Sequence, residues 1–299
     1  MRLRVSSDKT KALNGKAAAF AVLLASATLF AGCRQHGERQ SRDELSGMAQ
    51  VRAGHAPGGC ASLMACERDE SMAAPQSVDA FYMDETEVTN RAYRECAASG
   101  ECADNRKGAC YLPDELGRPW LENAKDLPAD FFAADRPAVC VSWDMARAYC
   151  ASAGKRLPTE AEWMVAAGAD RGFAFPHLRP PSPGDEKWEA VFEGRFTLRG
   201  AANAGAPVCC GPDAADGWAG AAPAGEFPAG GAPIKDMAGN VWEWTADCGA
   251  GNGRCAQRVI KGGSWATALN EMRIGNKAAR APHTRSADIG FRCARDAAD

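Results

Sequence analysis

The sequence predicts a loop-rich globular fold of short helices and short strands, cross-braced by disulfides. Gly 31 and Pro 17 make 48 of 299 residues, too many breakers for a helical bundle. Trp, Tyr and Phe number 23 and the net charge is only −3, which excludes disorder as the main state. A chain of this length buries a sizeable core without help. Its 13 cysteines leave an even twelve once Cys33 is set aside, the count of a disulfide framework. A pI near 5.9 gives no basic footprint, so nucleic acid is excluded as a partner.

The N-terminus reads as an export signal. Arg2, Arg4, Lys9, Lys11 and Lys16 face a single Asp8, and an uncharged run from Ala17 to Gly32 follows. That run is shorter than the roughly 20 apolar residues of a spanning helix. Phe30-Ala31-Gly32-Cys33 resembles a bacterial lipobox, with Phe30 where Leu is usual, and implies cleavage after residue 32 and lipidation of Cys33. Removing 1–32 leaves 30 basic against 37 acidic residues, a net of −7. Residues 33–47 are polar and read as a tether, and 48–299 as the folded domain. The expected location is the cell envelope, periplasmic or at the cell surface, with the membrane engaged through the lipid on Cys33.

Export agrees with the cysteines, because disulfides persist outside the reducing cytoplasm. Cys60/Cys66, Cys96/Cys102 and Cys248/Cys255 are close enough in sequence to pin local loops. Cys-x-x-Cys spacing is absent and only four His exist, which disfavours zinc.

Along the chain, Val78–Asp84 alternates as a strand with Phe81 and Met83 on one face. Thr89 or Asn90 caps a short helix that stops near Gly100. Residues 101–135, with Pro113, Pro119, Pro128 and Trp120, read as loop. Ser142 opens a second helix, with Ala146, Tyr149, Cys150 and Ala153 at helical spacing and Gly154 as its stop. Thr159 and Glu162 have capping-box spacing at the head of a third, which Gly168 ends. Residues 169–234 lack periodicity and are too long for a plain connector. Val241–Thr245 and Arg258–Gly262 read as strands. No internal repeat and no interior linker is evident.

Several segments then converge on one resemblance. Arg136-Pro-Ala-Val-Cys-Val-Ser-Trp143 leads into Ala148-Tyr-Cys-Ala-Ser-Ala-Gly-Lys-Arg-Leu-Pro-Thr-Glu-Ala-Glu-Trp163. Asp236-Met-Ala-Gly-Asn-Val-Trp-Glu-Trp244, Lys261-Gly-Gly-Ser-Trp265 and Ile289-Gly-Phe-Arg-Cys-Ala294 follow in order, and Glu85-Thr-Glu-Val-Thr-Asn90 precedes them. Together they resemble the formylglycine-generating enzyme, or sulfatase-modifying factor, family over residues 48–296. The resemblance implies an α+β domain related to C-type lectin folds, with little regular secondary structure. It pairs Cys150 with Cys293. The remaining ten could then close as Cys60–Cys66, Cys96–Cys102, Cys110–Cys140, Cys209–Cys210 and Cys248–Cys255.

The same resemblance implies two structural calcium sites. One uses the Asp236 and Glu243 side chains with the Gly239 and Val241 carbonyls. The other uses Asn203 and Asp216 side chains with the Ala204 and Trp218 carbonyls, and would give the aperiodic stretch a reason to be ordered. Carboxylates and carbonyls are the hard donors calcium takes.

The family's reaction, oxidation of a sulfatase cysteine to an aldehyde, implies copper held by two thiolates in the pattern Gly-Gly-Ser-Trp-x-Cys-x(4)-Cys. Here Gly262-Gly263-Ser264-Trp265 is followed by Thr267 and Met272 at those positions. Neither supplies a thiolate, and a copper(I) site of that kind needs one. Copper is therefore not expected. Of the four His, His36 lies in the tether, and His55, His177 and His283 are scattered, against a three-His iron site. Ser264, Trp265, Arg273, Arg280, Arg285 and Asp288 remain as candidates for lining the same cleft. The expected function is a non-catalytic binding or scaffold module, with a protein, peptide or glycan ligand. The alternative is a divergent oxidoreductase acting on exported proteins or peptides.

Overall fold

The computed structural model describes residues 45–58, 74–113, 119–171, 175–176, 218, 220–227, 232–249, 255–267 and 269–297. The chain divides into residues 1–46 and a compact unit, Gly47–Asp299, and the fold is that of the second. It is an α+β arrangement of short elements, as the breaker content requires.

In chain order the strands are β1 (Met48–Val51), β2 (Gly54–Ala56), β3 (Gln76–Val78), β4 (Phe81–Asp84), β5 (Ala109–Pro113) and β6 (Pro119–Asn123). They continue as β7 (Trp242–Cys248), β8 (Arg258–Lys261), β9 (Ala278–Arg280), β10 (Ile289–Gly290) and β11 (Ala294–Asp296). The α-helices among the described residues are α1 (Asn90–Ser99), α2 (Trp143–Ser152) and α3 (Glu160–Ala167). One sheet runs β1-β4-β11 and a second β10-β7-β8-β9, with β2-β3 and β5-β6 as separate pairs. In the second sheet β10 lies parallel to β7 and the other pairs are antiparallel.

The expected strand over 78–84 is instead two. Val78 pairs with Gly54, whereas Phe81 to Asp84 pair with β1 and β11, so the chain changes sheets at Asp79–Ala80. Phe81 and Met83 do share the buried face. The stretch 101–135 is also more ordered than its prolines suggest, because β5 and β6 form a hairpin pairing Leu112 with Trp120. Pro113 and Pro119 face each other at the end of that ladder, where proline is tolerated.

The three described helices begin at the expected caps. The Thr89 hydroxyl accepts from Ala92 N–H, and that of Ser142 from Met145 N–H, each at 3.3 Å. Thr159 accepts from Glu162 N–H at 3.1 Å while Glu162 accepts from Thr159 N–H at 2.7 Å, a complete capping box. Helix α3 is apolar on every side after Glu162, and all of it from Ala161 to Ala167 is buried. It packs against β2, β3, β7 and β8.

Among the described residues four disulfides brace this frame: Cys96–Cys102, Cys110–Cys140, Cys150–Cys293 and Cys248–Cys255. Cys150 and Cys293 sit without solvent exposure in a cluster with Tyr93, Trp244 and Phe291, which ties α2 to the C-terminal segment. Cys33, Cys60, Cys66, Cys209 and Cys210 lie outside the described residues.

Candidate functional site

The Gly-Gly-Ser-Trp turn follows β8 directly. Gly262 and Gly263 both have left-handed backbones, with φ of 97° and 75°. A Cβ at Gly263 would stand 2.8 Å from Met272 Cγ and 3.1 Å from Thr267 Oγ1. Positions 267 and 272 therefore converge on the turn. Their side chains are committed to packing it. Thr267 Oγ1 accepts from Ser264 N–H at 2.8 Å and donates to the Ser264 carbonyl at 3.0 Å. Met272 is fully buried. A hydroxyl spent on the backbone and a neutral thioether do not fit a copper(I) bis-thiolate site, and no oxidative step is assigned to them. Gly263→Ala meets both the left-handed backbone and the Met272 side chain. It is expected to cost about 1–3 kcal/mol, read as a lowered urea midpoint. An unchanged midpoint would mean that the turn relaxes freely.

Beside the turn, the Ser264 hydroxyl donates to Asp288 Oδ2 at 3.1 Å and accepts from Ala266 N–H at 3.2 Å. The Ser286 hydroxyl donates to the other Asp288 oxygen. Burial raises the Asp288 pKa, and the two hydroxyl bonds oppose that rise. Trp265 is buried, donates from Nε1 to the Ala287 carbonyl at 3.3 Å and leans on Phe131. Arg273 is buried next to Met272, and Arg280 is exposed. Arg285 departs from the expectation that it lines a cleft. Its guanidinium donates to the carbonyls of Cys140, Lys107 and Asn105 at 2.7, 2.6 and 2.7 Å, so it braces the loop before β5.

The Asp236–Val241 loop leads into β7 and is bonded to this turn, with Gly239 N–H donating to the Gly262 carbonyl at 2.8 Å. Asp236, Gly239 and Asn240 have φ of 59°, 82° and 57°, a conformation Asp, Asn and Gly adopt at least cost. Asn240 holds three neighbours at once. Its carbonyl accepts from Trp265 N–H, its Oδ1 accepts from Ala222 N–H, and its Nδ2 donates to Glu87 Oε1, each at 2.8 Å. Asp236 accepts from the Gly225 and Phe227 N–H groups. Glu243 accepts from Arg292 Nε and Nη2 at 2.7 Å each and from Trp163 Nε1 at 2.9 Å.

Glu87, Asp236 and Glu243 are each 1% exposed, and the buried guanidinium among them is that of Arg292. Glu87 Oε2 has no hydrogen-bond partner among the described residues. Desolvation first, then the charges of Asp236 and Glu243, push the Glu87 pKa well up, and Arg292 pulls it down. Among the described residues no three His, Cys, Asp or Glu side chains are grouped so as to hold a metal ion. The donor chemistry here nevertheless suits a hard cation. It offers buried carboxylates in excess of positive charge: Asp236 on the loop that also carries the Gly239 and Val241 carbonyls, Glu243 at the start of β7, and Glu87, with one oxygen unpartnered, before α1.

Of the second implied calcium set, Asn203, Ala204 and Asp216 lie outside the described residues. Trp218 is described, half-buried with the Arg136 guanidinium 4.9 Å from its ring centroid. His55 and His283 are both exposed, on β2 and in the turn before β10, and His36 and His177 lie outside the described residues. Sequence reasoning missed Glu87, Asn240 and Arg292 as members of the site. All three fall inside quoted motifs, and an acidic residue set between Thr86 and the apolar Val88 just before a helix cap was the available signal.

The sulfatase-modifying factor enzyme 1-like domain model matches residues 34–297. A formylglycine-generating enzyme of Streptomyces coelicolor is 30% identical over 259 residues, covering 73% of this chain and 78% of that protein. An inactive C-alpha-formylglycine-generating enzyme 2 of Bos taurus is 36% identical over 165 residues, 53% of this chain and 50% of that one. Among solved structures, PvdO from Pseudomonas aeruginosa superposes with a TM-score of 0.61 at 24% identity, over 84% of this chain and 94% of that one. Treponema denticola variable protein 1 gives 0.55 at 20% identity, over 84% and 95%. These two likenesses concern the fold. With the motifs in order, the fold in place and the model matched over nearly its whole length, the chain belongs to the sulfatase-modifying factor enzyme 1-like family, which includes the formylglycine-generating enzymes.

Proposed function

We propose that the chain is an exported, lipid-anchored member of this family that works as a non-catalytic binding or scaffold module, stabilised by calcium. One observation carries the non-catalytic reading: Thr267 and Met272 stand at the thiolate positions and are spent on packing the Gly262-Gly263-Ser264 turn. The family also contains a relative named as inactive. The four disulfides among the described residues support an oxidising compartment, and the Cys33 segment supports the anchor. Calcium would be held by Asp236, Glu243 and the Gly239 and Val241 carbonyls, and by Asn203, Asp216 and the Ala204 and Trp218 carbonyls in the second set. The excess of buried carboxylate supports the first of these. The ligand would be a protein, peptide or glycan of the envelope.

The test is to expose the purified chain to copper(I), desalt it, and assay both metal content and conversion of a Cys-x-Pro-x-Arg peptide. No stoichiometric copper and no aldehyde product are expected, and titration in denaturant should find no pair of reduced thiols. Copper retained at one per chain, or an aldehyde peptide, would reject the scaffold reading and favour the divergent oxidoreductase, with Ser264 and Asp288 as the polar groups already beside the turn.

A further inference from the structure

One of the described disulfides differs from the others in its setting. Cys150–Cys293 and Cys110–Cys140 are fully buried, and in the third bridge Cys102 is buried and Cys96 half-buried. Cys248, at the end of β7, is exposed, and its partner Cys255 is half-buried. Cys255 has a φ of 45°, a left-handed backbone that a cysteine adopts only at a cost. Cys140 shares that backbone, with φ of 57°, but lies out of reach of solvent. Exposed or strained bridges are the ones that exchange readily with outside thiols.

The charge around Cys248 is positive. Arg258, its register partner on β8, donates from Nη1 to Cys248 Sγ at 3.6 Å and to the Ala246 carbonyl at 2.9 Å. Its guanidinium carbon lies 3.6 Å from the centre of the Trp143 ring, and its Nε has no hydrogen-bond partner among the described residues. Arg280, opposite Arg258 on β9, brings a second guanidinium to the same side of the sheet, although like charges directly opposite each other are unfavourable. Arg147 on α2 stands 5.5 Å from the same Trp143 ring, with Asp144 4.0 Å from its Nε. Asp247, the residue before Cys248, turns instead to the head of α3, where it accepts from Glu160 N–H at 2.5 Å. A guanidinium held against a sulfur in this way stabilises that sulfur as a thiolate.

We propose that Cys248–Cys255 is a thiol–disulfide exchange site, at which an incoming thiolate bonds to Cys255 Sγ and Cys248 leaves as a thiolate held by Arg258. The incoming sulfur supplies the electron pair of the new S–S bond. The pair of the old bond departs on Cys248 Sγ, so the step needs no proton and no further oxidant. Its direction follows from the leaving group. A thiolate of lower pKa leaves faster, and of the two sulfurs only that of Cys248 is hydrogen-bonded to a guanidinium. The product is a mixed disulfide on Cys255, through which the chain holds a thiol-bearing molecule covalently at the β7–β8 end. The inference depends neither on calcium nor on the Gly262-Gly263-Ser264 turn.

The full chain, without denaturant, would be treated with reduced glutathione at neutral pH, quenched at intervals with an alkylating agent and mapped by peptide mass spectrometry. The Cys248–Cys255 bridge should open at least about 10-fold faster than Cys96–Cys102. The first adduct should carry glutathione on Cys255, with Cys248 alkylated. Arg258→Met should slow that opening about 10-fold, and Arg258→Lys, which keeps a cation, should recover part of the rate. The sign separates this role from a structural one. If Arg258 only braces Trp143, its loss loosens the segment and the bridge opens faster; that result, or an unchanged rate, overturns the proposal. So does a wild-type bridge that opens no faster than Cys96–Cys102, or a first adduct on Cys248. Those two outcomes are read on the wild type and decide the matter even where the Met variant does not fold.

Discussion

Replacing Cys150 and Cys293 together by alanine is expected to cost about 4–5 kcal/mol and to abolish stable folding at 37 °C. The bridge joins residues 143 apart in sequence, the longest separation among the four disulfides described. In the chain-entropy account a loop of that order restricts the unfolded state by about 5 kcal/mol, while closing a loop of a few residues contributes far less. Domains of this kind have a net stability of only about 5–15 kcal/mol, so one bridge is a large share of it. The contacts add to the loss. Both sulfurs are buried beside Tyr93, Tyr149 and Phe291, whose rings stack and cross within 5.4 to 6.2 Å of one another. Cys96→Ala/Cys102→Ala is the internal control, because it opens a loop of sequence separation 6 and should shift the melting temperature much less. Thermal melts of the two variants decide the point. Equal shifts would mean that neither bridge acts through the unfolded chain.

The features legible in the sequence were those fixed by neighbours a few residues away. Thr89, Ser142 and Thr159 cap helices because a hydroxyl reaches an N–H two or three positions on, and that geometry is independent of the rest of the fold. The break at Asp79–Ala80 was not legible. Both flanking segments alternate, and only their partners, β2 for one and β1 with β11 for the other, separate them. The β5–β6 hairpin was hidden by its own terminal prolines. At the site, the positions of Thr267 and Met272 followed from motif spacing, and their consumption by the turn did not. Arg285 looked like a charge for a cleft, whereas three carbonyls from residues 105, 107 and 140 claim it. Glu87 and Arg292 were the hardest to see, since a buried charge is defined by groups brought from distant parts of the chain.

Arg292→Met should be the most damaging single substitution in the buried charge cluster, costing about 3–5 kcal/mol. The guanidinium has no exposure and holds Glu243 by two bonds of 2.7 Å. Its removal leaves Glu87, Asp236 and Glu243 buried with no full positive charge among them. The effect is one of unpaired charge, not of lost attraction, so Arg292→Met/Glu243→Gln should recover part of the loss by removing one carboxylate. It should also respond to pH with a definite sign. Burial and the neighbouring carboxylates hold the Glu87 pKa above its ordinary value, and Arg292 is the group that pulls it down. A carboxyl with a raised pKa in the folded state favours folding below the unfolded value and loses that contribution as pH rises through the folded one. Without Arg292 the folded value climbs further, so the variant's deficit should be largest near neutral pH and shrink as pH falls toward the ordinary carboxylate range. Denaturant melts of wild type and variant across that range, in chelator, measure it directly. A deficit that stays constant across that range would mean that the loss comes from packing of the Arg292 side chain, not from the carboxylates it leaves behind.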